Sequence, residues 1–220
     1  MKYGKTVDCC IAYNPEDDYT DVESIGGSLD VRDADTRTAF PKLTTVGGWL
    51  DVHGANTRAR FPKLTVIGLE LNARGADTRK TFPKLAAIGG CLYAQGADTR
   101  IAFPKLVTIG GGLYALDADT RTAFPKLTTV SGWLDVRGAD TRTKFPRLLV
   151  IGGELDVQGA DTRKAFPVLI TIGDWLYADG AKTRIAFPKL TTIGAGLYTY
   201  GTDTRGAFPS LKTIKGQRVS

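Results

Sequence analysis

Cysteine, histidine, methionine and long apolar runs are all scarce in this chain of 220 residues. The three cysteines, Cys9, Cys10 and Cys91, are too few and too unevenly spaced for a disulfide framework, and adjacent cysteines suit a zinc site poorly. No segment approaches the roughly 20 apolar residues that a membrane-spanning helix needs. No basic segment followed by an apolar run lies near Met1, so we see no signal peptide. We therefore expect no membrane span and an intracellular, reducing location.

Groups that would carry catalysis are equally scarce. His53 is the single histidine, and no nucleophile or carboxylate pair lies at a fixed spacing from it. Gly-Gly pairs recur along the chain, which is typical of repeated structural corners and not of a phosphate-binding loop. We expect a protein that is not an enzyme, with no catalytic residue, no metal and no cofactor.

What the chain does have is a strict repeat of 21 residues. Each repeat begins with a Phe-Pro pair, and these pairs include every phenylalanine and every proline except Pro15. A fixed period of this length predicts an array in which each unit stacks on its neighbours. We divide the chain into an N-terminal cap (1–18), a single solenoid domain of nine coils and a partial last coil (19–214), and a C-terminal tail (215–220).

The repeat at 124–144 shows how one coil should fold. Leu134 and Val136 alternate with polar or exposed positions, which predicts a half-buried strand after the Ser-Gly corner. Asp140 precedes Thr141 and Arg142 and should cap a short helical turn. The next Phe-Pro pair should end that turn. We predict a mainly β, right-handed parallel β-solenoid with one short strand and one short helical turn per coil.

The Asp-Thr-Arg run is nearly constant between coils. We interpret Asp140, Thr141, Arg142 and their equivalents as a structural ladder, in which an acidic column offsets the stacked arginines. The net charge of +6 follows from this ladder and a parallel column of lysines. A nucleic-acid partner is therefore an unlikely interpretation, because aromatic and uncompensated basic residues should then share one face.

The run Leu-x-x-Ile-Gly-Gly-x-Leu-x-Val, as at 43–52 and 148–157, resembles leucine-rich repeats. It is most similar to the receptor L-domain type, in which a Gly-Gly corner precedes a Leu-x-Ile strand. The chain departs from that type by lacking the cysteines of secreted receptor domains and by its strict period. The resemblance implies a protein that binds other proteins through its exposed strand face.

Coils differ most at the outward positions of the Leu-x-Val strand. These positions hold all three tryptophans, five of the eight tyrosines and the histidine. Trp, Tyr and Arg are common anchors of binding hot spots, so we predict a binding face for a protein or glycan. Its candidate residues are Trp49, Asp51, His53, Tyr93, Tyr114, Trp133, Asp135, Arg137, Trp175, Tyr177, Tyr198 and Tyr200.

Three alternatives stay open. The aromatic side chains could instead stack across strands and stabilise the sheet. The protein could be a structural solenoid that self-associates through its ends or its strand face. The basic ladders could bind a polyanion.

Coils four apart also match each other better than neighbours do. Trp49 to Val52 recurs as Trp133 to Val136, and Glu70 recurs as Glu154, 84 residues later. This pattern reflects either a duplicated four-coil block or two similar patches roughly 19 Å apart, at about 4.8 Å per stacked strand.

Overall fold

The computed structural model describes residues 1–34, 39–55, 61–78, 81–98, 103–118, 124–139, 145–202, 204, 206–215 and 217–218. These residues form a parallel β-solenoid of about nine coils of about 21 residues, which confirms the predicted fold class. Each coil contributes two strands of two residues, separated by the glycine-containing corner. The prediction of one strand per coil was therefore wrong.

The missed strand precedes the corner in each coil and builds a twelve-stranded sheet, here called sheet I. Its strands pair in parallel with the equivalent strand of each adjacent coil, except for the last, which pairs antiparallel. They are β1 (Thr6–Val7), β3 (Ser24–Ile25), β5 (Thr45–Val46), β7 (Val66–Ile67), β9 (Ala87–Ile88), β11 (Thr108–Ile109), β13 (Thr129–Val130), β15 (Val150–Ile151), β17 (Thr171–Ile172), β19 (Thr192–Ile193), β21 (Thr213–Ile214) and β22 (Gln217–Arg218).

The predicted Leu-x-Val strand builds the second sheet, here called sheet II, which has ten parallel strands. Equivalent residues of successive coils face each other, so every repeat position becomes a continuous column. The strands are β2 (Ile11–Ala12), β4 (Leu29–Asp30), β6 (Leu50–Asp51), β8 (Leu71–Asn72), β10 (Leu92–Tyr93), β12 (Leu113–Tyr114), β14 (Leu134–Asp135), β16 (Leu155–Asp156), β18 (Leu176–Tyr177) and β20 (Leu197–Tyr198).

The core is a set of apolar columns enclosed by the coil. Phe124, Leu127, Val130, Leu134 and Val136 of one coil are all fully buried. The phenylalanines of the Phe-Pro pairs stack on one another along the whole array, with ring centroids 5.3 to 5.8 Å apart. Offset stacking adds to the stabilisation from burial alone. The Phe-Pro pair therefore supplies a central aromatic column as well as a turn.

The short helical turn predicted for each coil is absent from the described residues, which contain no helix. At 161–165 the Asp161 carboxylate instead accepts the Arg163 backbone N–H at 3.3 Å, and the Ala165 N–H donates to the Thr162 carbonyl at 2.9 Å. Lys164 has a φ of 64°. A left-handed residue at this point closes the turn and prevents a helix from continuing.

The named ladder residues Asp140, Thr141 and Arg142 lie outside the described residues. Their equivalents at 161–163 show what two members of this run do. Thr162 is fully buried, and its hydroxyl donates to the Lys182 carbonyl of the next coil at 3.1 Å. Arg163 pairs with Asp161 of its own coil at 2.6 Å. In this coil, Thr162 links the run to the next coil, and Asp161 offsets the positive charge of Arg163.

The segment assigned as an N-terminal cap supplies the first strand of each sheet, β1 and β2, which pair with β3 and β4. Tyr19 takes the place of the first phenylalanine, since it is 1% exposed and its ring centroid lies 4.9 Å from that of Phe40. Across the part of the chain that the structure describes, no helix is long and apolar enough to cross a membrane.

Candidate functional site

The outward side chains of sheet II form one continuous surface, here called the strand face. Because the inward leucines of these strands are buried and strand residues alternate sides, the intervening residues must face solvent. The sequence-predicted site residues therefore share one face. They nevertheless fall into two groups that differ in their contacts.

In the first group, Trp49 and Trp133 are 40% and 51% exposed and stack on no other ring among the described residues. Each is followed one coil later by a glutamate, Glu70 or Glu154. Each glutamate lines the same cleft as the tryptophan one coil before it. The two indole rings lie exposed beside these clefts.

In the second group the aromatic rings stack. Trp175 is followed one coil later by Gly196, and a Cβ atom added there would lie 2.1 Å from an indole carbon. The Trp175 ring stacks with Tyr198 at 5.2 Å, and Tyr198 stacks with Tyr177 at 5.2 Å. Lys215 Nζ lies 4.7 Å from the centroid of the Trp175 ring. These contacts are those expected if the aromatic side chains stack across strands and stabilise the sheet.

Tyr93 and Tyr114 form a second stack, with centroids 5.2 Å apart. The Arg74 guanidinium lies 4.3 Å from the Tyr93 ring centroid, which is cation–π geometry. Burial, the adjacent Cys91 and the Glu70 carboxylate together raise the pKa of Tyr93 to about 12. The Tyr93 hydroxyl is therefore partly shielded from solvent and lies near the Glu70 carboxylate.

The first cleft, here called cleft 1, has a volume of about 340 Å³ next to Trp49. Asp51 forms part of its lining, accepts the His53 backbone N–H at 2.9 Å and lies 3.8 Å from Arg32. His53 itself is exposed and does not line the cleft. Cleft 1 is lined by Arg32, Trp49, Leu50, Asp51, Glu70, Asn72, Arg74 and Tyr93.

The second cleft, here called cleft 2, has a volume of about 380 Å³ next to Trp133. Arg137 donates to Asp135 from Nε at 3.0 Å and from Nη2 at 2.7 Å, and its Nε lies 3.5 Å from Asp156. Such bidentate pairing fixes the guanidinium plane. Cleft 2 is lined by Gln95, Tyr114, Trp133, Leu134, Asp135, Arg137, Glu154 and Asp156.

The remaining predicted residue, Tyr200, lies towards the last coils. It is 89% exposed, and its backbone N–H donates to Asp179 at 2.6 Å. It lines neither cleft. The structure thus brings Trp49, Asp51 and Tyr93 together at one cleft and Tyr114, Trp133, Asp135 and Arg137 at the other.

Several cleft residues were absent from the predicted site. Glu70 and Glu154 are the most informative, because each lies one coil after a tryptophan and the two match at the 84-residue spacing. That match was visible in the sequence. Gln95, which lines cleft 2, carried no such signal, since the residue 84 positions earlier is Ile11.

The described residues of the strand face offer few groups for metal binding or thiol chemistry. No group of three or more histidine, cysteine, aspartate or glutamate side chains that could hold a metal ion occurs among the residues described. Cys9, Cys10 and Cys91 are free thiols. The clefts offer instead an indole ring, carboxylates and amide groups, which suit non-covalent binding.

Comparison of the chain with protein-family models, with curated proteins and with solved structures finds no match.

Proposed function

We propose that this protein is a non-enzymatic binding scaffold of the leucine-rich-repeat kind, closest to receptor L-domain-type repeats. It recognises a protein or a glycan on the strand face. One observation carries the proposal: Trp49 and Trp133 lie at equivalent positions, each exposed beside a cleft of similar volume. Two such exposed indoles lower solubility without stabilising the sheet through ring stacking, whereas a ligand would bury them.

The clefts combine surfaces that such ligands use. An indole face can pack against a peptide side chain or the apolar face of a sugar ring. Asp51 and Asp135 are rigidly held by hydrogen bonds and present carboxylate oxygens at fixed positions. Preorganised polar groups beside a rigid aromatic ring lower the entropy cost of binding.

The experiment is a binding profile on a random-peptide array and on a glycan array. The wild-type protein is compared with the Trp49→Ala/Trp133→Ala double variant and with Lys126→Ala, an exposed change away from the strand face. We expect the ligands bound by wild type to be lost by the double variant and kept by Lys126→Ala. Ligands that survive the double substitution would contradict binding at the clefts.

Self-association is a second candidate, and one observation favours it. Sheet I ends with the antiparallel strand β22, whereas no described strand pairs with β20 on its outer side in sheet II. Tyr198 and Tyr200 near that edge are 46% and 89% exposed. Light scattering over a concentration series distinguishes the two candidates, because a receptor face alone leaves the protein monomeric.

Polyanion binding has a more limited basis. Arg163, Lys182 and Arg184 line a depression of about 370 Å³ away from the strand face. Arg163 is already paired with Asp161, so part of this charge is offset. Heparin affinity that falls steeply with salt, and that a Lys182→Glu/Arg184→Glu variant lacks, would support this third function.

A further inference from the structure

The two clefts match in position but differ in charge. The lining of cleft 1 includes two carboxylates, Asp51 and Glu70, and two guanidinium groups, Arg32 and Arg74. The lining of cleft 2 includes three carboxylates, Asp135, Glu154 and Asp156, and one guanidinium group, Arg137. Cleft 1 is thus neutral, and cleft 2 carries a net charge of −2.

The difference arises at four pairs of equivalent positions, each 84 residues apart. Arg32 of the first block corresponds to Leu116, His53 to Arg137, Asn72 to Asp156, and Arg74 to Gln158. Two cations are lost, one cation is gained and one anion is gained, which gives the net change of −2. Because both clefts keep the tryptophan, the aspartate two residues after it and the glutamate of the following coil, cleft 1 serves as an internal control for cleft 2.

Cleft 2 also contains acceptors that lack donors. Within the described part of the chain, the Glu154 carboxylate forms no hydrogen bond or ion pair. The Gln95 Oε1 atom is buried and accepts no hydrogen bond. Arg137 is already occupied by Asp135 and Asp156. A buried acceptor without a donor is destabilising, and a ligand with N–H groups would supply the missing donor.

The pKa shifts of the carboxylates in cleft 2 agree with this lack of positive charge. Loss of solvent raises the pKa of Glu154, and the carboxylates of Asp174 and Asp156 raise it further. Loss of solvent also raises the pKa of Asp156. At Asp156 this effect of burial outweighs the Gln158 backbone N–H and Arg137, which both lower the pKa, whereas no cation offsets the shift at Glu154.

We propose that cleft 2 binds an arginine side chain of a partner polypeptide. The guanidinium plane lies against Trp133, one edge donates to Glu154, and a further N–H donates to Gln95 Oε1. A guanidinium group is favoured over an ammonium because it is planar, stacks on aromatic rings and presents five N–H donors in a fixed arrangement. This inference rests on the proposed binding function and names the chemistry of its ligand.

The test is an NMR titration of ¹⁵N-labelled protein with N-acetyl-arginine amide. The three indole N–H signals are assigned with Trp49→Phe, Trp133→Phe and Trp175→Phe variants. We expect saturable movement of the Trp133 signal with a dissociation constant on the order of millimolar, and little movement of the Trp49 signal. N-acetyl-citrulline amide, a neutral compound of nearly the same shape, should leave the Trp133 signal in place.

Matched variants locate the contact. Glu154→Gln should weaken arginine binding by roughly tenfold or more, because it removes a charge-assisted hydrogen bond. Glu70→Gln, the equivalent change in cleft 1, should leave binding unchanged. Unchanged backbone amide signals in the coils remote from both clefts show that each variant is folded. Equal responses to arginine and citrulline, equal responses at Trp49 and Trp133, or no response at Trp133 would each overturn the proposal.

Failure of this inference and failure of the proposed function give different results. If array ligands depend on Trp49 and Trp133 but arginine does not move the Trp133 signal, the strand face binds ligands and the arginine assignment is wrong. If no array ligand depends on these tryptophans, the binding function itself is wrong.

Discussion

The indole of Trp175 lies against Gly196 of the following coil, so closely that a Cβ atom at position 196 would fall 2.1 Å from a ring carbon. At Trp133 the residue in that place is Glu154, and the indole is 51% exposed. A glycine one coil later thus accompanies the stacked indole, whereas a glutamate accompanies each exposed one. We infer that this neighbour determines how far the indole ring is covered.

We expect Gly196→Glu to displace the Trp175 ring from the sheet, because the new side chain occupies the surface beneath it. The measurement is acrylamide quenching of tryptophan fluorescence in a Trp49→Phe/Trp133→Phe background. Quenching should increase, and Gly196→Gln should have the same effect because the cause is steric. Gly4→Ala, which changes a distant residue with open space around it and no positive φ, is the control. Unchanged quenching in both 196 variants would contradict the relationship.

The central phenylalanine column and the exposed tryptophans should contribute differently to stability. Phe124→Ala removes a fully buried stacked ring and should lower the free energy of unfolding by about 3–5 kcal/mol. Trp133→Ala should change it by less than about 1 kcal/mol, because half of the ring is exposed. Chemical denaturation measures both. A large loss for Trp133→Ala would favour sheet stabilisation over ligand binding at this position.

A buried threonine hydroxyl should stabilise the contact between neighbouring coils. Thr162→Val keeps the side-chain shape but removes the hydroxyl donor to the Lys182 carbonyl, which still accepts the Thr162 backbone N–H. We therefore expect a loss of about 0.5–1.5 kcal/mol. Thr171→Val is the matched control, since Thr171 is partly exposed on sheet I and its hydroxyl makes no hydrogen bond among the described residues. Equal effects of the two changes on the denaturation midpoint would rule out this role.

Tyr93 should make stability sensitive to alkaline pH. Its pKa is raised from 10.0 to about 12 in the folded protein, by burial and by Cys91, Glu70 and Tyr114. The unfolded chain ionises at the ordinary value, so the folded state keeps its full advantage below pH 10.0 and loses it as pH rises towards about 12. The denaturation midpoint of Tyr93→Phe should fall less over this interval than that of the wild type. Arg74, which lies over the ring of residue 93, is present in both proteins, so loss of its charge cannot account for a difference between them.

The sequence was sufficient to predict the solenoid, its period and the buried strand containing Leu134, because these depend on a pattern repeated in every coil. It was not sufficient to predict β13, because the two residues Thr129–Val130 are too few to show alternation. The helical turn was wrong because a cap residue such as Asp161 is equally suited to a tight turn closed by a left-handed residue.

The candidate site was predictable as a face but not as two clefts. Listing Trp49, Trp133 and Trp175 together treated them as equivalent, since each occupies the same repeat position. Their exposure depends on the neighbour 21 residues later, which acts through space between coils. The charge difference between the clefts likewise depends on side chains contributed by successive coils, such as Arg137 and Asp156 of cleft 2.

The constant strand register of sheet II has a consequence for the distance between the clefts. Successive strands pair residue for residue without a shift, as Leu113 does with Leu134 and Leu134 with Leu155. The separation of two sites on this face can then take only whole multiples of one strand spacing, about 4.8 Å. The coil is therefore the unit by which distances along the strand face change. Because Tyr93 of cleft 1 and Gln95 of cleft 2 belong to the same coil, deleting a 21-residue unit here would shorten the separation by one strand spacing and would also remove a residue that lines a cleft.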